Sequence, residues 1–446
     1  MRARILVVVV TVLLAGAACG NSRSNNKSAS TIPKGVTTPS SVNPAALNTK
    51  VHVSAPGVTD TEIRVDAVVT KTNNPTGGDF SVLVDGINAY FKMINDGGGL
   101  YGRQLKLTNV RDDQLGANAQ AVQAALSTDK AFATFGASVL FTGAKLLARA
   151  NQPTFIWNIN PEFAGNNNMF ADKGALCFKC PGHVLPWVAK QLGATRVGII
   201  AYGVSAESTD CADGIKNSFD KYPTAKVAYE DKSLPFAAPL AAQVTAMNNA
   251  GVKFIGTCID LNESYALGKE MQRQGMTAVQ ELPNGYDAGF AAKNAVAFEG
   301  AIVSPSFQAF EQQPQIPEMT KMFEWFQKIG KPVSEIGTAG WVVADELVTG
   351  LKMAGPRFSQ QKVIDALNTL TNYTDNGLIS PIDWTKQHDD PLTHPQSRAP
   401  KECFNFVKVQ SGKFVPVFGE PAKPWVCFNK ADPSVDHPQF LSFATG

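Results

Sequence analysis

The chain alternates between short β-branched runs and stretches with helical spacing, and this alternation constrains the fold more than any other feature. A strand, a helix and a second strand pack back as a parallel pair through a right-handed crossover. Repetition of that unit predicts an α/β class with two doubly wound lobes. The predicted strands are 62–69, 104–110, 131–135, 154–157, 197–202, 226–229, 254–258, 404–409 and 414–418. The predicted helices include 213–221, 264–274, 316–329, 338–354 and 359–370, and the rhythm restarts after Pro181.

The N-terminus has the pattern of an export signal. Arg2 and Arg4 precede an apolar run at 5–14, and four small residues then lead to Cys19. A charged start, a short apolar core and a small-residue exit predict a signal peptide over 1–18. The run is too short for a membrane span. Two interpretations of Cys19 stay open: it is acylated and becomes the first mature residue, which we favour, or the signal is an ordinary one and Cys19 is incidental.

The segment after the signal is rich in Ser, Asn, Thr, Pro and Ala and has no hydrophobic period. Such a composition cannot bury enough apolar surface to order itself. We therefore expect 19–56 to consist of the lipidated Cys19 and a flexible tether. Acyl chains on that cysteine would hold the protein on a membrane, since one chain alone binds only marginally.

Charge excludes one class of partner. The chain has 40 Lys and Arg against 38 Asp and Glu, and removal of 1–18 takes away Arg2 and Arg4 and leaves 38 of each. A neutral mature chain without basic runs argues against nucleic acid as a partner.

Six cysteines remain beside Cys19, and an even number in an exported chain predicts three disulfides. Six cysteines allow 15 pairings, so the sequence leaves the pairing open. The preferred set is Cys177–Cys180, Cys211–Cys258 and Cys403–Cys427. The first two pairs are short-range or plausibly neighbouring in the second lobe, and the third closes a pair of strands. Cys177 and Cys180 also have the spacing of a redox pair, which lowers a thiol pKa. We favour a structural disulfide there, because Pro181 follows and the pair lies in a lobe connector.

Polar and small residues follow several predicted strands. Open α/β sheets bind ligands beyond the carboxyl ends of their strands, so one cleft would collect these residues. Each residue alone is also a normal helix N-cap, and that interpretation stays open for each. The candidates for ligand binding are Gly136, Ala137, Ser138, Thr142, Asn158, Asn160, Ser205, Asp260 and Asn284.

Several motifs resemble the leucine/isoleucine/valine-binding-protein-like, type 1 solute-binding proteins of ABC transporters. The most specific is Asn-Asp-Gly-Gly-Gly-Leu-Tyr-Gly-Arg at 95–103. Weaker matches are 57–63, 89–91, 111–113, 135–138, 153–156 and 381–384, and the resemblance covers roughly 57–420.

The resemblance implies two discontinuous lobes joined by three hinge crossings. We place the crossings near Pro181, 306–314 and 376–378. The lobes are then 57–180 plus 312–377 and 181–311 plus 378–428, with a C-terminal tail at 429–446. Such a protein closes on a small ligand and presents it to a membrane permease. We expect a monomer held by its lipid on the outer face of the cytoplasmic membrane.

The resemblance also implies roles for the candidate residues. The 136–138 loop holds the ligand's carboxylate, Asn158 and Asn160 add to it, and Ser205, Asp260 and Asn284 close from the other lobe. The family usually has a carboxylate where this chain has Asn284, to bind an amino acid's ammonium group. The ligand is therefore left open as an amino acid or a related small polar metabolite.

Two other functions are consistent with an exported α/β protein: an enzyme and a ligand sensor. An enzyme is not expected, because the common hydrolase, Walker, dinucleotide and zinc-protease motifs are missing from the sequence. The scattered histidines predict surface or capping positions rather than a metal or cofactor site: His52, His183, His388, His394 and His437. A metal at Asp389-Asp390, which His388 and His394 flank, is disfavoured against a solvated loop. The other rival is a ligand-sensing module that feeds a signalling partner; the stand-alone pair of lobes favours transport.

Overall fold

A computed structural model describes residues 47–74 and 78–444. The predicted signal peptide 1–18 and the predicted lipidation at Cys19 lie outside the described residues. Within the described part of the chain, no helix combines the length and apolarity needed to cross a bilayer.

The first lobe is built on a parallel sheet in the order β2-β1-β3-β4-β5. Strands β3, β4 and β5 are buried throughout and β1 is buried over most of its length, as expected for parallel strands that are covered on both faces, whereas the edge strand β2 is largely exposed. The strands are β1 (Glu62–Val69), β2 (Gln104–Asp112), β3 (Thr134–Ala137), β4 (Thr154–Ile156) and β5 (Met169–Ala171). The intervening helices are α1 (Leu83–Asp96), α2 (Asn118–Ala124) and α3 (Ala144–Arg149).

The second lobe repeats this topology. Its parallel strands run in the order β7-β6-β8-β9-β10, and two antiparallel strands, β12 and β13, extend the sheet beyond β10. The strands are β6 (Arg196–Tyr202), β7 (Lys226–Leu234), β8 (Phe254–Cys258), β9 (Val279–Glu281), β10 (Ile302–Val303), β12 (Val407–Gln410) and β13 (Lys413–Pro416). The helices are α4 (Val184–Gln191), α5 (Ala206–Lys221), α6 (Ala241–Asn249), α7 (Leu261–Arg273), α8 (Ala288–Lys293) and α9 (Ala295–Phe298). The predicted α/β class with two doubly wound lobes is confirmed.

Three later helices complete the first lobe: α10 (Pro317–Lys328), α11 (Glu335–Ala354) and α12 (Gln360–Leu367). Helix α11 is buried over most of its length and packs on α1. The two helices cross at glycines, because a Cβ on Gly86 would lie 1.9 Å from Gly337 O and a Cβ on Gly340 would lie 2.0 Å from Leu83 O. The close approach therefore requires residues without side chains at this crossing.

A small antiparallel sheet follows in the chain, in the order β11-β14-β15. Its strands are β11 (Lys401–Phe404), β14 (Trp425–Asn429) and β15 (Gln439–Leu441). The predicted tail 429–446 thus contributes a strand, because β15 pairs with β14 from Trp425 to Cys427. The three disulfides join the cysteines of the preferred set: Cys177–Cys180, Cys211–Cys258 and Cys403–Cys427.

Two segments belong to a different part of the fold from the one that the predicted domain boundaries assign to them. Residues 47–56, predicted as the end of the tether, pack on the first lobe, where the buried Arg103 guanidinium donates to Val51 O at 2.7 Å. Residues 382–388, predicted for the second lobe, also pack on the first, where Trp384 meets Phe170 edge to face. Backbone hydrogen bonds to the first lobe also hold both segments, and because these partners are distant in sequence, the local pattern does not reveal them.

Candidate functional site

The carboxyl ends of β3 and β4 form the first wall of the candidate cleft. Gly136 and Ala137 lie inside β3 rather than in the loop after it, and they pair with Val68 and Val69 of β1. Ser138 follows the strand and is buried. Thr142 is exposed in the turn before α3, apart from these three residues, and Gly143 is the N-cap of that helix.

Ser138 is held by a buried polar network. Asn118 donates from Nδ2 to Ser138 Oγ at 2.9 Å and to Asp113 Oδ2 at 3.0 Å. Thr70, at the end of β1, donates to Asp113 Oδ1 at 2.8 Å. Asn118 Oδ1 accepts the backbone N–H of Gly143 at 2.7 Å. Because Ser138 Oγ accepts in this network, its hydroxyl hydrogen is left to donate to another group.

Asn158 and Asn160 lie next to Ser138, as their strand-end positions predict. Asn160 donates from Nδ2 to Ser138 O at 2.9 Å, and its backbone N–H donates to Asn158 Oδ1 at 3.0 Å. Asn158 in turn donates from Nδ2 to Gly174 O at 2.8 Å. The side chain of Asn158 is thus committed to the protein. Asn160 is 2% exposed, and its Oδ1 has no hydrogen-bond partner among the described residues.

In the second lobe, Ser205 and Asp260 serve as N-caps. Ser205 Oγ accepts the N–H of Ser208 at 3.2 Å at the start of α5. Asp260 Oδ1 accepts the N–H groups of Asn262 and Glu263 at 2.8 and 3.1 Å at the start of α7. The interpretation of both residues as helix caps is therefore correct, although each cap still lies at a strand end.

Carboxylates dominate the electrostatics of this second wall. Burial raises the pKa of Asp260, although the Tyr202 hydroxyl donates to its other oxygen and counteracts the shift. Burial, followed by repulsion from Asp260, raises the pKa of Glu263 to about 7. The second wall thus holds carboxyl groups that take up protons more readily than exposed ones do.

Asn284 does not join the other candidates. It is exposed in a turn after β9, with a φ of 51°. The same loop instead reaches the first lobe through Tyr286, whose backbone N–H donates to Glu335 Oε2 at 3.1 Å. Glu335 is the first residue of α11. Burial raises its pKa, and Lys173 of the first lobe opposes that shift.

An aromatic pair that the sequence does not predict lies beside these groups, formed by the half-buried Phe80 and the buried Trp157. Phe80 and Trp157 stack with ring centroids 5.2 Å apart, and Lys173 Nζ lies 5.4 Å from the Trp157 ring centroid. The Lys173 side chain is 18% exposed and lies 3.8 Å from Asp172. Trp157 directly follows β4, so its strand-end position was the available signal. Phe80 and Lys173 have no comparable signal.

Two of the histidines predicted at surface or capping positions are buried, and one of them, His183, is the N-cap residue of α4 without a capping hydrogen bond from its side chain. His183 ring atoms face Glu402 and Asp432, and the ring stacks on Phe428. His388 Nε2 lies 2.6 Å from Asn368 Oδ1, and burial lowers the pKa of His388 to about 4. Packing inside the fold therefore explains both rings. Across the described ranges, no group of three or more His, Cys, Asp or Glu side chains has an arrangement that would hold a metal ion.

Comparisons with known proteins agree with this architecture. The sequence model of the family described as periplasmic binding protein matches residues 67–413. A leucine-binding protein from Thermotoga maritima is similar in structure, with 16% identity, a TM-score of 0.64, and coverage of 82% of this chain and 99% of that chain.

Two further solved structures are similar. A branched-chain amino acid ABC transporter protein from Thermus thermophilus with bound valine has 17% identity and a TM-score of 0.65, covering 83% of this chain and 98% of that chain. A fatty acid ABC transporter substrate-binding protein from Thermomonospora curvata has 18% identity and a TM-score of 0.65, covering 88% and 98%. No curated protein matches the chain in sequence.

Proposed function

The chain belongs to the periplasmic binding protein family, and from this premise we propose that it captures a small polar solute between its lobes and passes it to an ABC-transporter permease. The resemblance noted in its motifs is thereby confirmed at the level of the family. The proposal concerns the finer points: the residues that bind, the class of solute, the closure of the hinge and the anchor.

Asn160 Oδ1 is the observation that carries the proposal. It is a buried acceptor without a partner among the described residues, at the carboxyl end of a parallel strand. A buried polar atom without a partner costs about 1–3 kcal/mol. A bound solute that donates a hydrogen bond to Oδ1 would remove that cost. This favours a ligand with an ammonium, amide or hydroxyl hydrogen.

The neighbouring Ser138 adds the complementary group. Its hydroxyl hydrogen is available to a ligand acceptor such as a carboxylate oxygen, and Asn160 is joined to it by a 2.9 Å hydrogen bond. A donor and an acceptor side by side suit an α-amino acid or a related metabolite. The half-buried Phe80, which stacks on the buried Trp157, would contact an apolar portion of such a ligand. The similar proteins named above bind leucine, valine and fatty acid, which all combine a carboxylate with an apolar chain.

The ammonium partner remains the main departure from the family pattern. Asn284 is neutral and exposed, whereas Asp260 is a carboxylate at a strand end of the same lobe. We therefore infer that Asp260 replaces the missing carboxylate, with Ser205 beside it on the second wall.

We propose that closure brings the two walls together. A ligand that contacts both lobes binds the closed state better and shifts the population toward it. The Tyr286–Glu335 hydrogen bond supports this, because it joins a loop of the second lobe to the first helix turn of α11. The three predicted crossings would then act as the hinge.

The proposed anchor is the acylated Cys19. The tether would let the lobes reach a permease in the same membrane, and closed lobes would present a surface that open lobes lack. Sensing is the alternative function, and no feature of the described residues favours it over transport.

A thermal-shift experiment tests the proposal. Amino acids, amides, organic acids and sugars would be added to the mature protein, and the binding class should raise the melting temperature by mass action. Asn160→Ala should reduce that shift, whereas Asn248→Ala, on the exposed face of α6, should not. Equal shifts in Asn160→Ala and wild type would place the solute elsewhere.

A further inference from the structure

The Cys177–Cys180 disulfide lies in the crossing that leads from β5 to α4, next to a cationic side chain. Arg398 donates from Nη2 to Cys180 Sγ at 2.7 Å and from Nε to Pro391 O at 3.1 Å. Both cysteines are half-buried, so a small thiol has access to them. A guanidinium beside a sulfur favours the thiolate, which lowers the thiol pKa and stabilises the reduced pair.

In each of the other two disulfides one cysteine, Cys211 or Cys403, is half-buried and open to attack, but the partner sulfur that would leave as a thiolate is buried. Cys258 is 6% exposed and packs in an apolar cluster with Ile215 and Phe219. Cys427 is 0% exposed on β14. A thiolate released at either position would lose its solvation without a cationic partner. Reduction at those positions is therefore disfavoured.

The loop between Cys177 and Cys180 is held by contacts that do not need the disulfide. Lys179 Nζ lies 2.8 Å from Asp210 Oδ1, and Asn217 donates from Nδ2 to Lys179 O at 2.9 Å. A Cβ on Gly214 would lie 1.9 Å from Phe178 O, so the loop packs directly on the backbone of α5. The two thiols should thus stay close together after reduction and remain able to reform their bond.

Several charges act on this loop. Arg398 touches Cys180, Lys179 is neutralised by Asp210, and Asp213 and Asp390 act on Lys179 through space. Arg398 is therefore the cation with a direct contact to sulfur.

We propose that Cys177–Cys180 is a thiol–disulfide exchange site that a dithiol reduces and that closes again on oxidation. A thiolate of the dithiol attacks Cys177 Sγ, the S–S bond breaks, and the electron pair leaves on Cys180 Sγ beside Arg398. The second thiolate of the dithiol then attacks the dithiol sulfur that is bound to Cys177. The dithiol closes to a disulfide, and Cys177 leaves as a thiolate. The dithiol loses two electrons and two protons; Cys177 takes one proton, and the other goes to solvent.

Stepwise reduction of the full mature protein with dithiothreitol tests this proposal. Free thiols are trapped with iodoacetamide and located by mass spectrometry. Cys177 and Cys180 should react about tenfold faster than the other four cysteines, because a low-pKa thiolate is the better leaving group. In the partly reduced protein, the alkylation of Cys180 should have its pH midpoint at least about one unit below 8.5. These measurements on the wild-type protein do not depend on the folding of a variant.

A matched pair of variants isolates the charge. Arg398→Gln should slow the reduction and raise the pH midpoint of Cys180. Arg64→Gln, which alters an arginine on β1 paired with Glu62, should change neither. Simultaneous reduction of all three disulfides, or an ordinary pH midpoint for Cys180, would overturn the proposal.

Discussion

The backbone N–H of Tyr286 donates a hydrogen bond to Glu335 Oε2 at 3.1 Å, and this bond joins the two lobes. Tyr286 follows β9 of the second lobe, and Glu335 begins α11 of the first. Lys173 and Asp172, after β5, act on the same carboxyl group. The contact lies where the two lobes meet, so it bears directly on closure.

Removal of the Glu335 carboxylate should favour separation of the lobes. A hydrogen bond to a charged group contributes about 1.5–3 kcal/mol. Loss of this bond in Glu335→Ala should lower the fraction of molecules with closed lobes and thereby weaken solute binding about tenfold. Small-angle X-ray scattering of the solute-free protein should show a larger radius of gyration. Glu324→Ala, on an exposed part of α10, is the control. An unchanged radius together with unchanged affinity would show that this bond does not hold the lobes.

Asn118 should matter for both stability and binding, because it positions Ser138. Asn118→Ala leaves Asp113, Ser138 Oγ and the N–H of Gly143 without their shared partner. We expect a loss of about 3 kcal/mol in the free energy of unfolding, measured by urea denaturation, and a weaker thermal shift with solute. Gln120→Ala, exposed on the same helix, should alter neither quantity. Wild-type stability in Asn118→Ala would mean that the network does not support the fold.

Glu281 predicts a pH dependence of stability. It is 7% exposed, Ser304 donates to its Oε1 at 3.0 Å, and burial raises its pKa from 4.5 to about 7. Since the folded state favours the protonated form, this contribution to stability is complete below about pH 4.5 and is lost as the pH rises through about 7.

Glu281→Gln should remove that dependence. The variant should be more stable than the wild type by about 3 kcal/mol at pH 8 and equal to it near pH 4.5, as measured by urea denaturation at each pH. Glu324→Gln, at the surface of α10, serves as the control. A variant that is less stable than the wild type at pH 8 would contradict the assignment of a buried, proton-binding carboxyl group.

The strand–helix rhythm predicted the class of fold, and some elements closely. The β-branched runs at 62–69 and 254–258 form β1 and β8 over the same residues. β3 was predicted two to three residues too early, since Ala131 and Phe132 are as apolar as the strand itself. α5 begins at Ala206 rather than at 213, because its first turn is polar and is started by the Ser205 cap. The three-residue β5 and β9 are too short for a pattern, and they form because neighbouring strands pair with them.

The candidate site was predictable only where topology placed it. Strand ends brought Ser138, Asn158 and Asn160 together, because parallel strands share one carboxyl edge. Which of their polar atoms form hydrogen bonds inside the protein depends on residues that are distant in the sequence. Asn158 pairs with Gly174, and Ser138 pairs with Asn118 across 20 residues. Glu335 reaches Tyr286 across 49 residues, and no local pattern marks such a contact.

Native mass spectrometry of the mature protein purified from its own cells tests the central claim most directly. We expect one non-covalently bound small molecule in the wild-type protein. Ser138→Trp should fill the space at the end of β3 and lack that molecule, while circular dichroism shows the same folded state. A bound molecule retained in folded Ser138→Trp, or a wild-type protein whose melting temperature no small solute raises, would contradict capture between the lobes.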